Sequence, residues 1–205
     1  MSNLIRCRGS ASEIAARFDA GPVRDLAWRS HIWPGEAGLV VLLDQQTRAL
    51  QTLIWGLPAQ GFVKRHPLRE RIGLFARDLV DGGRVRDPDM LTRCLIIIED
   101  VAYPDGPLGA RTRSYAGLWD MPLCAWAGLC ICREGDNGFA GLLIPANALV
   151  ARVSAHMPLL LPQEAWQPWL EGEALHALSG VYAEQDWYLE PSGENWSNLA
   201  AAGHG

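Results

Sequence analysis

The sequence predicts a strand-rich α+β fold organised as one domain. Three observations carry this prediction: a length of 205 residues, an ordinary globular composition, and many short apolar runs separated by turn residues. A chain of this length buries about 70% of its unfolded surface in a single domain. Short apolar runs bounded by glycine, proline or aspartate are typical of strands, whereas helices need longer segments with a period of 3.6 residues.

The first half of the chain opens with a helix and continues as strands. Ser10 and Glu13 form a capping-box pattern before a helix at 14–18, and Gly21-Pro22 is expected to end it. Two strands are predicted at 38–43 and 49–55, joined by a polar turn at 44–48. Residues 56–67 are predicted as a loop, and 68–80 fits either a helix or a strand.

The second half is predicted to contain a buried strand, a hairpin and two short helices. The continuous apolar run at 93–98 is typical of a strand buried on both faces. The other assignments, in chain order, are hairpin strands at 123–132 and 139–144 around a turn at 134–138, and helices at 145–153 and 162–170. The domain is expected to span 1–192, with a frayed C-terminal tail at 193–205.

Residues 139–170 carry the most specific pattern, FAGLLIPANALVARVSAHMPLLLPQEAWQPWL. Together with MSNLIR at 1–6, WGLP at 55–58, RCLI at 93–96 and CAWAGLC at 124–130, it resembles the SOS-response-associated peptidase (SRAP) family. The resemblance spans residues 1–170, and its landmarks occur in the family's order. It implies curved, barrel-like antiparallel sheets with short peripheral helices. It also implies a role in processing abasic sites, with single-stranded or abasic DNA as the partner and no cofactor.

The family's reaction depends on an N-terminal cysteine, an asparagine, a glutamate and a histidine. The α-amine and thiol of the cysteine capture the ring-opened aldehyde of an abasic site as a thiazolidine cross-link, while the other groups position and transfer protons. The resemblance assigns these four positions to Ser2, Phe75, Tyr103 and Ser154. It retains the arginine that contacts DNA phosphate, as Arg77. We therefore expect a pseudoenzyme that retains weak, non-covalent binding to single-stranded DNA.

An active enzyme with a rearranged site is the first alternative. The α-amine of Ser2 could still form an imine with an aldehyde, and Asp105 or His156 could substitute for the lost proton carriers. Against this, Pro104 to Pro107 reads as a turn in which Asp105 bonds its own backbone, and His156 reads as a structural or surface histidine. A peptidase is the weakest alternative, because no Ser/His/Asp set occurs at a recognised spacing.

Tryptophans and arginines are the candidate DNA contacts outside that site. Trp33 and Trp55 could stack on unpaired bases, since aromatic platforms accept single strands regardless of sequence. Most of the nine tryptophans, including Trp126, Trp166 and Trp169, are expected to fill the core, and Trp55 is also a core candidate. Arg77 could instead pair with its neighbour in the sequence, Asp78.

The net charge of −5 is unevenly distributed. Residues 64–93 hold eight basic and five acidic residues, and 17 of the chain's 18 basic residues are arginine, whose planar fork suits phosphate. This basic region is compatible with weak nucleic-acid contact or with a solvated surface. Residues 163–205 hold seven acidic residues and no lysine or arginine. A protein-interaction module that uses this acidic region is therefore a further alternative, with its partner unidentified.

The five cysteines are expected to be reduced thiols in a soluble, cytoplasmic protein. Cys124, Cys130 and Cys132 lack the C-x-x-C spacing of zinc sites and are predicted to pack as small apolar side chains, so no metal is expected. No apolar run approaches the roughly 18–20 residues of a membrane span, and the N-terminus lacks the apolar stretch of a secretory signal.

Overall fold

A computed structural model describes residues 4–22, 25–57, 72–76, 91–133, 136–172 and 182–196. Strands dominate these ranges. In chain order they are β1 (Leu4–Arg6), β2 (Ala20–Pro22), β3 (His31–Ile32), β4 (Ala37–Asp44), β5 (Thr47–Ile54), β6 (Gly73–Phe75), β7 (Thr92–Ile98), β8 (Asp100–Asp105), β9 (Thr112–Leu118), β10 (Cys124–Arg133), β11 (Asp136–Pro145), β12 (His156–Pro158), β13 (Leu160–Leu161) and β14 (Trp187–Asn195). The α-helices are α1 (Ala11–Phe18) and α2 (Gln163–Glu171), and single 3-10 turns occur at Val150–Arg152 and Glu184–Asp186. This architecture confirms the strand-rich α+β prediction.

The strands form two sheets that share one hydrophobic core. The smaller sheet has the order β14-β9-β8-β1-β3, and all of its pairs are antiparallel. The larger sheet follows the path β12-β11-β10-β7-β4-β5-β2, with β13 paired to β10 and β6 paired in parallel to β11. β7 and β8 follow one another directly in the chain, so a single residue, Glu99, connects the two sheets.

The larger sheet curls until the end of β5 meets β11, each of which is one strand in from an outer edge of the sheet. Trp55, just beyond β5, forms an isolated parallel bridge with Phe139 in β11, and the Gly56 amide donates to the Phe139 carbonyl over 2.8 Å. The closure requires glycine at position 138, because a Cβ atom there would lie 2.2 Å from the carbonyl oxygen of Gly56. Backbone at that distance cannot move aside as a flexible side chain would.

Five tryptophans lie in the core of the described residues, and four of them, all except Trp187, donate their indole N–H group to a backbone carbonyl. Trp55 donates to the Ile72 carbonyl, Trp126 to Leu142, Trp166 to Leu161 and Trp169 to Cys94, over 2.7–3.0 Å. All four side chains are almost fully buried. A buried indole needs such a partner because an unsatisfied N–H group carries a desolvation penalty. The predicted core role of Trp126, Trp166 and Trp169 is confirmed.

Both α-helices lie where the sequence predicts helices. The Ser10 hydroxyl accepts from the Glu13 amide, and the Glu13 carboxylate accepts from the Ser10 amide, which completes the predicted capping box. The helix ends at Phe18, as predicted, but its cap is Asp19 in the left-handed conformation with φ of 48°, and not the expected Gly21-Pro22. Those two residues belong instead to β2, which pairs in parallel with β5.

Three predictions near the C-terminal half need correction. The segment 145–153 is not a helix beyond its single 3-10 turn, because Ser154 bonds the main chain of His156 and redirects the chain into β12. The strands β8, β9 and β14 were not predicted. β14 continues past residue 192 to Asn195, and the Trp196 amide donates to Arg111, so 193–196 are paired in the sheet and not frayed.

Candidate functional site

Three residues that the resemblance aligns with catalytic positions meet at one place in the structure. The hydroxyl of Tyr103 donates to the main-chain oxygen of His156 over 3.3 Å, and the hydroxyl of Ser154 donates to the same oxygen over 2.8 Å. The rings of Phe75 and His156 lie 4.8 Å apart between centroids. The structure therefore brings Phe75, Tyr103 and Ser154 together around His156.

Two strands attached to β11 and one strand of the other sheet build this His156 site. The register of strand pairing fixes the positions of Phe75 and His156. Phe75 lies opposite Leu143 in the parallel pair β6–β11, and His156 lies opposite Pro145 in the antiparallel pair β12–β11. Tyr103 reaches the same place from β8 in the smaller sheet. The His156 site, called the seam site from here on, thus lies between the two sheets, where segments distant in sequence converge.

The groups of this site are poor proton carriers. Tyr103 is 1% exposed, and burial raises the pKa of its phenol far above its usual range, so the group stays protonated. The Ser154 hydroxyl donates to the His156 carbonyl and accepts from the His156 amide over 3.2 Å, so it holds the local backbone. Phe75 offers only an aromatic ring. His156 is half-buried and is the titratable side chain at the centre.

Two predicted site residues, Ser2 and Arg77, lie outside the described residues. The first described residue, Leu4, pairs with Ala102 in β8, next to Tyr103. The N-terminal strand therefore runs beside the strand that carries the Tyr103 phenol.

Asp105 is the last residue of β8, and its side-chain partner differs from the predicted one. Its Oδ2 atom accepts a 2.6 Å hydrogen bond from the hydroxyl of Ser114 in β9, not from its own backbone. Ser114 lies directly opposite Tyr103 in the β8–β9 pair. Asp105 and Tyr103 are two residues apart on one strand, so they project from the same face of the sheet. The Asp105 carboxylate therefore lies beside the seam site.

The two candidate stacking tryptophans differ in exposure. Trp55 is 1% exposed, so the expectation that it stacks on a base is wrong: its ring packs against Phe139 and Trp126 inside the curled sheet. Trp33 is half-buried, with its ring centroid 5.5 Å from that of Trp196 and 5.7 Å from the guanidinium of Arg113. Trp33 remains a candidate for stacking.

A second polar cluster, on the other face of the smaller sheet, was missed by the sequence analysis. Asp100 is 1% exposed and receives hydrogen bonds from Arg6 and from the hydroxyl of Tyr188, the latter over 2.8 Å. Burial raises the pKa of its carboxyl group above the ordinary value. The cluster lines a groove of about 660 Å³ that also includes Trp119, which is 60% exposed. The available signal was the acidic pair Glu99-Asp100 directly after the apolar run of β7.

The cysteines divide into buried and accessible thiols. Cys124 and Cys130 are buried in β10, as predicted, whereas Cys132 on the same strand is exposed, contrary to its predicted packing role. Burial raises the pKa of the Cys124 thiol to about 12. Among the described residues, no group of three or more histidine, cysteine, aspartate or glutamate side chains is placed to hold a metal ion. No helix in the described part of the chain is long and apolar enough to cross a membrane.

The architecture defines a class of protein, a strand-rich α+β domain built from two sheets, and solved structures share this fold. No family model and no curated protein sequence matches this chain. A protein from Bordetella bronchiseptica is 15% identical with a TM-score of 0.73, over 93% of this chain and 99% of that one.

Two further crystal structures have the same fold. A protein from Bacteroides thetaiotaomicron is 17% identical with a TM-score of 0.73, over 92% of this chain and 90% of that one. A phage-related protein from B. bronchiseptica is 20% identical with a TM-score of 0.71, over 94% of each chain. At such identities the likeness establishes the fold alone.

Proposed function

We propose that this chain is an SRAP-type protein that no longer captures abasic-site aldehydes covalently and that binds single-stranded or abasic DNA non-covalently. The observation that supports the proposal is the convergence of Phe75, Tyr103 and Ser154 around His156. The resemblance aligned these three with catalytic positions from sequence landmarks alone. Their meeting at one seam is what a correct alignment requires.

The side chains at these positions explain why the covalent reaction is lost. Thiazolidine formation needs a thiol beside the α-amine, and Ser2 supplies only a hydroxyl. Proton transfer needs groups that change protonation near neutral pH. Tyr103 is held neutral by burial, Ser154 is engaged with the backbone, and Phe75 carries no proton at all. The three side chains lie where the proposed alignment requires them, but they cannot carry out the proton transfers of the covalent reaction.

Two features support non-covalent binding of DNA, namely a basic region of the sequence and one accessible aromatic side chain. The basic region 64–93, which includes Arg77, supplies arginines suited to phosphate. Trp33 is half-buried beside Arg113, so its ring is close to the surface and to a cation. Stacking on such rings is worth about 1–3 kcal/mol per base, which suits weak binding of unpaired strands.

Gel-shift and denaturing-gel assays on matched oligonucleotides test the proposal. We expect a shifted band for both intact and abasic single strands, weaker at higher salt because phosphate contacts release counterions. Trp33→Ala should weaken the shift, while Trp119→Ala, which removes a tryptophan from a different surface site, should leave it unchanged. An adduct that survives heating in denaturant would contradict the proposal.

A second candidate function is an imine-forming enzyme that uses the Ser2 α-amine. The specific observation in its favour is that Asp105 and His156 both lie beside Tyr103, one through Ser114 and the other through its main chain. Borohydride reduction would trap an imine between the chain and abasic DNA. A trapped adduct that Ser2→Ala retains and that acetylation of the α-amine abolishes would establish this candidate over the first, because an acetylated amine cannot form an imine. No adduct would exclude it.

A further inference from the structure

Cys130 and Cys132 lie on the same face of β10, because alternate residues of a strand project to one side. Their Sγ atoms are 3.8 Å apart. Cys130 is fully buried, whereas Cys132 is exposed at the end of the strand. The pair therefore places an accessible thiol next to a buried one, and neither thiol belongs to the seam site.

A disulfide does not suit this pair. Cys130 and Cys132 are two residues apart on an extended strand, so their Cβ atoms are separated by about 6.6 Å, whereas a disulfide holds the Cβ atoms within about 4.5 Å. The sulfurs would also have to approach from 3.8 Å to about 2.05 Å. The backbone cannot shorten easily, because Cys130 pairs with Thr92 on one side and with Phe139 on the other.

A bridging metal ion fits the same geometry. With metal–sulfur bonds of about 2.3 Å, a linear two-coordinate ion spans about 4.5 Å between sulfurs, so the present gap needs to open by less than about 1 Å. Thiolates select soft ions, of which copper(I) is the biological example that accepts two ligands in line. We propose that Cys130 and Cys132 form a two-thiolate site for one copper(I) ion.

The surroundings favour copper(I) over zinc. Zinc prefers four ligands, and the described residues provide no group of three or more ligating side chains of the usual types. The Gln51 amide nitrogen donates a hydrogen bond to the Cys132 sulfur over 3.5 Å. Cys132 gives the ion access from solvent, and the buried Cys130 shields it on the other side.

Binding exchanges two protons for one ion and changes no oxidation state. Both thiol S–H bonds break, two copper–sulfur bonds form, and two protons pass to solvent. The ion binds thiolates and not thiols, so protons compete with it for both sulfurs. Apparent affinity should therefore fall as pH falls.

Anaerobic titration of the full chain with copper(I), in the presence of a competing chelator, tests the site. We expect one ion per chain and, by native mass spectrometry at a given charge state, a mass gain of one copper minus one proton, which distinguishes copper(I) from copper(II). Cys132→Ser and Cys130→Ser should each lower the affinity by at least about a hundredfold, because each removes one of only two metal–sulfur bonds. Cys124→Ser, a buried cysteine elsewhere on β10, should bind normally.

Two results would overturn the proposal. One is copper(I) binding that Cys132→Ser leaves unchanged, since this exposed substitution does not disturb the core. The other is an equal loss in Cys94→Ser, because the buried Cys94 of β7 also contacts the Cys130 thiol, and such a loss would make the site a three-thiolate one. Circular dichroism of each variant separates a lost ligand from a lost fold. None of these readouts involves DNA, so they are independent of the proposed function.

Discussion

Tyr188 donates a 2.8 Å hydrogen bond to the buried carboxylate of Asp100 from two strands away. The strand between them is β9, and the residue that faces both is Gly117, opposite Asp100 in β8 and opposite Tyr188 in β14. The phenol ring lies over this glycine, in the space that a side chain would otherwise occupy. The absence of a Cβ atom at one position thus makes the Tyr188–Asp100 contact possible.

Gly117→Ala should break that contact and destabilise the chain. The new methyl group would lie 2.7 Å from the Tyr188 hydroxyl and 3.0 Å from the Glu99 carbonyl oxygen, so the ring must move. We expect a loss of about 1–3 kcal/mol in the free energy of unfolding, measured by urea denaturation. Gly21→Ala is the matched control, because its Cβ would meet nothing within 4 Å. Equal stability of the two variants would refute the steric role of Gly117.

Asp100→Asn should change how stability depends on pH. Burial raises the pKa of Asp100 in the folded chain, so between the ordinary carboxyl pKa and the raised value the folded state binds the proton more readily. The stability from this proton uptake is fully present below the ordinary value and is lost as pH rises through the folded pKa. Wild type should therefore lose stability relative to Asp100→Asn as pH rises through that window, measured by urea denaturation at a series of pH values. The opposite trend would mean that pairing with Arg6 outweighs burial.

Tyr115→Phe should raise the pKa of Glu194. The Tyr115 hydroxyl donates to Glu194 Oε2 over 2.8 Å, and this hydrogen bond is the largest cause of the lowered pKa of that carboxyl group. Arg113 donates to the same oxygen and should preserve part of the shift. NMR titration of the Glu194 side chain in wild type and variant measures the effect. An unchanged titration midpoint would assign the shift to Arg113 instead.

Restoring the family's side chains should restore covalent capture if the seam site is an altered SRAP site. The combined variant carries Ser2→Cys, Phe75→Asn, Tyr103→Glu and Ser154→His. We expect it to yield a heat-stable adduct with abasic single-stranded DNA, seen on a denaturing gel, whereas Ser2→Cys alone should yield little, because proton transfer is still missing. A folded combined variant that forms no adduct would show that the seam is not arranged for this reaction.

The sequence was most informative where local chemistry decides structure. The capping box of Ser10 and Glu13 fixes the start of α1 through hydrogen bonds between neighbours in the chain, so a pattern of four residues predicts it. The continuous apolar run of β7 likewise indicates a strand buried on both faces, and the structure confirms it. The hairpin of β10 and β11 follows from two adjacent apolar runs.

Long-range contacts are where local patterns fail. β8 and β14 are irregular in composition, each with a proline inside it, and they become strands through long-range pairing, β14 with β9 and β8 with both β9 and β1. Trp55 could be either a surface platform or a core residue until the closure with Phe139 encloses it. At the seam site, family landmarks indicated Phe75, Tyr103 and Ser154. Only the fold reveals that Asp105, through Ser114, is their neighbour.

The bridge between Trp55 and Phe139 has a consequence for biosynthesis. β4 and β5 leave the ribosome well before β11 exists, so the nascent chain carries an apolar ribbon whose final partner has not yet been translated. Contacts between such distant positions form slowly, and unpaired strand edges favour intermolecular association. Production yield should therefore depend on translation rate and chaperone supply more than the stability of the finished domain would suggest.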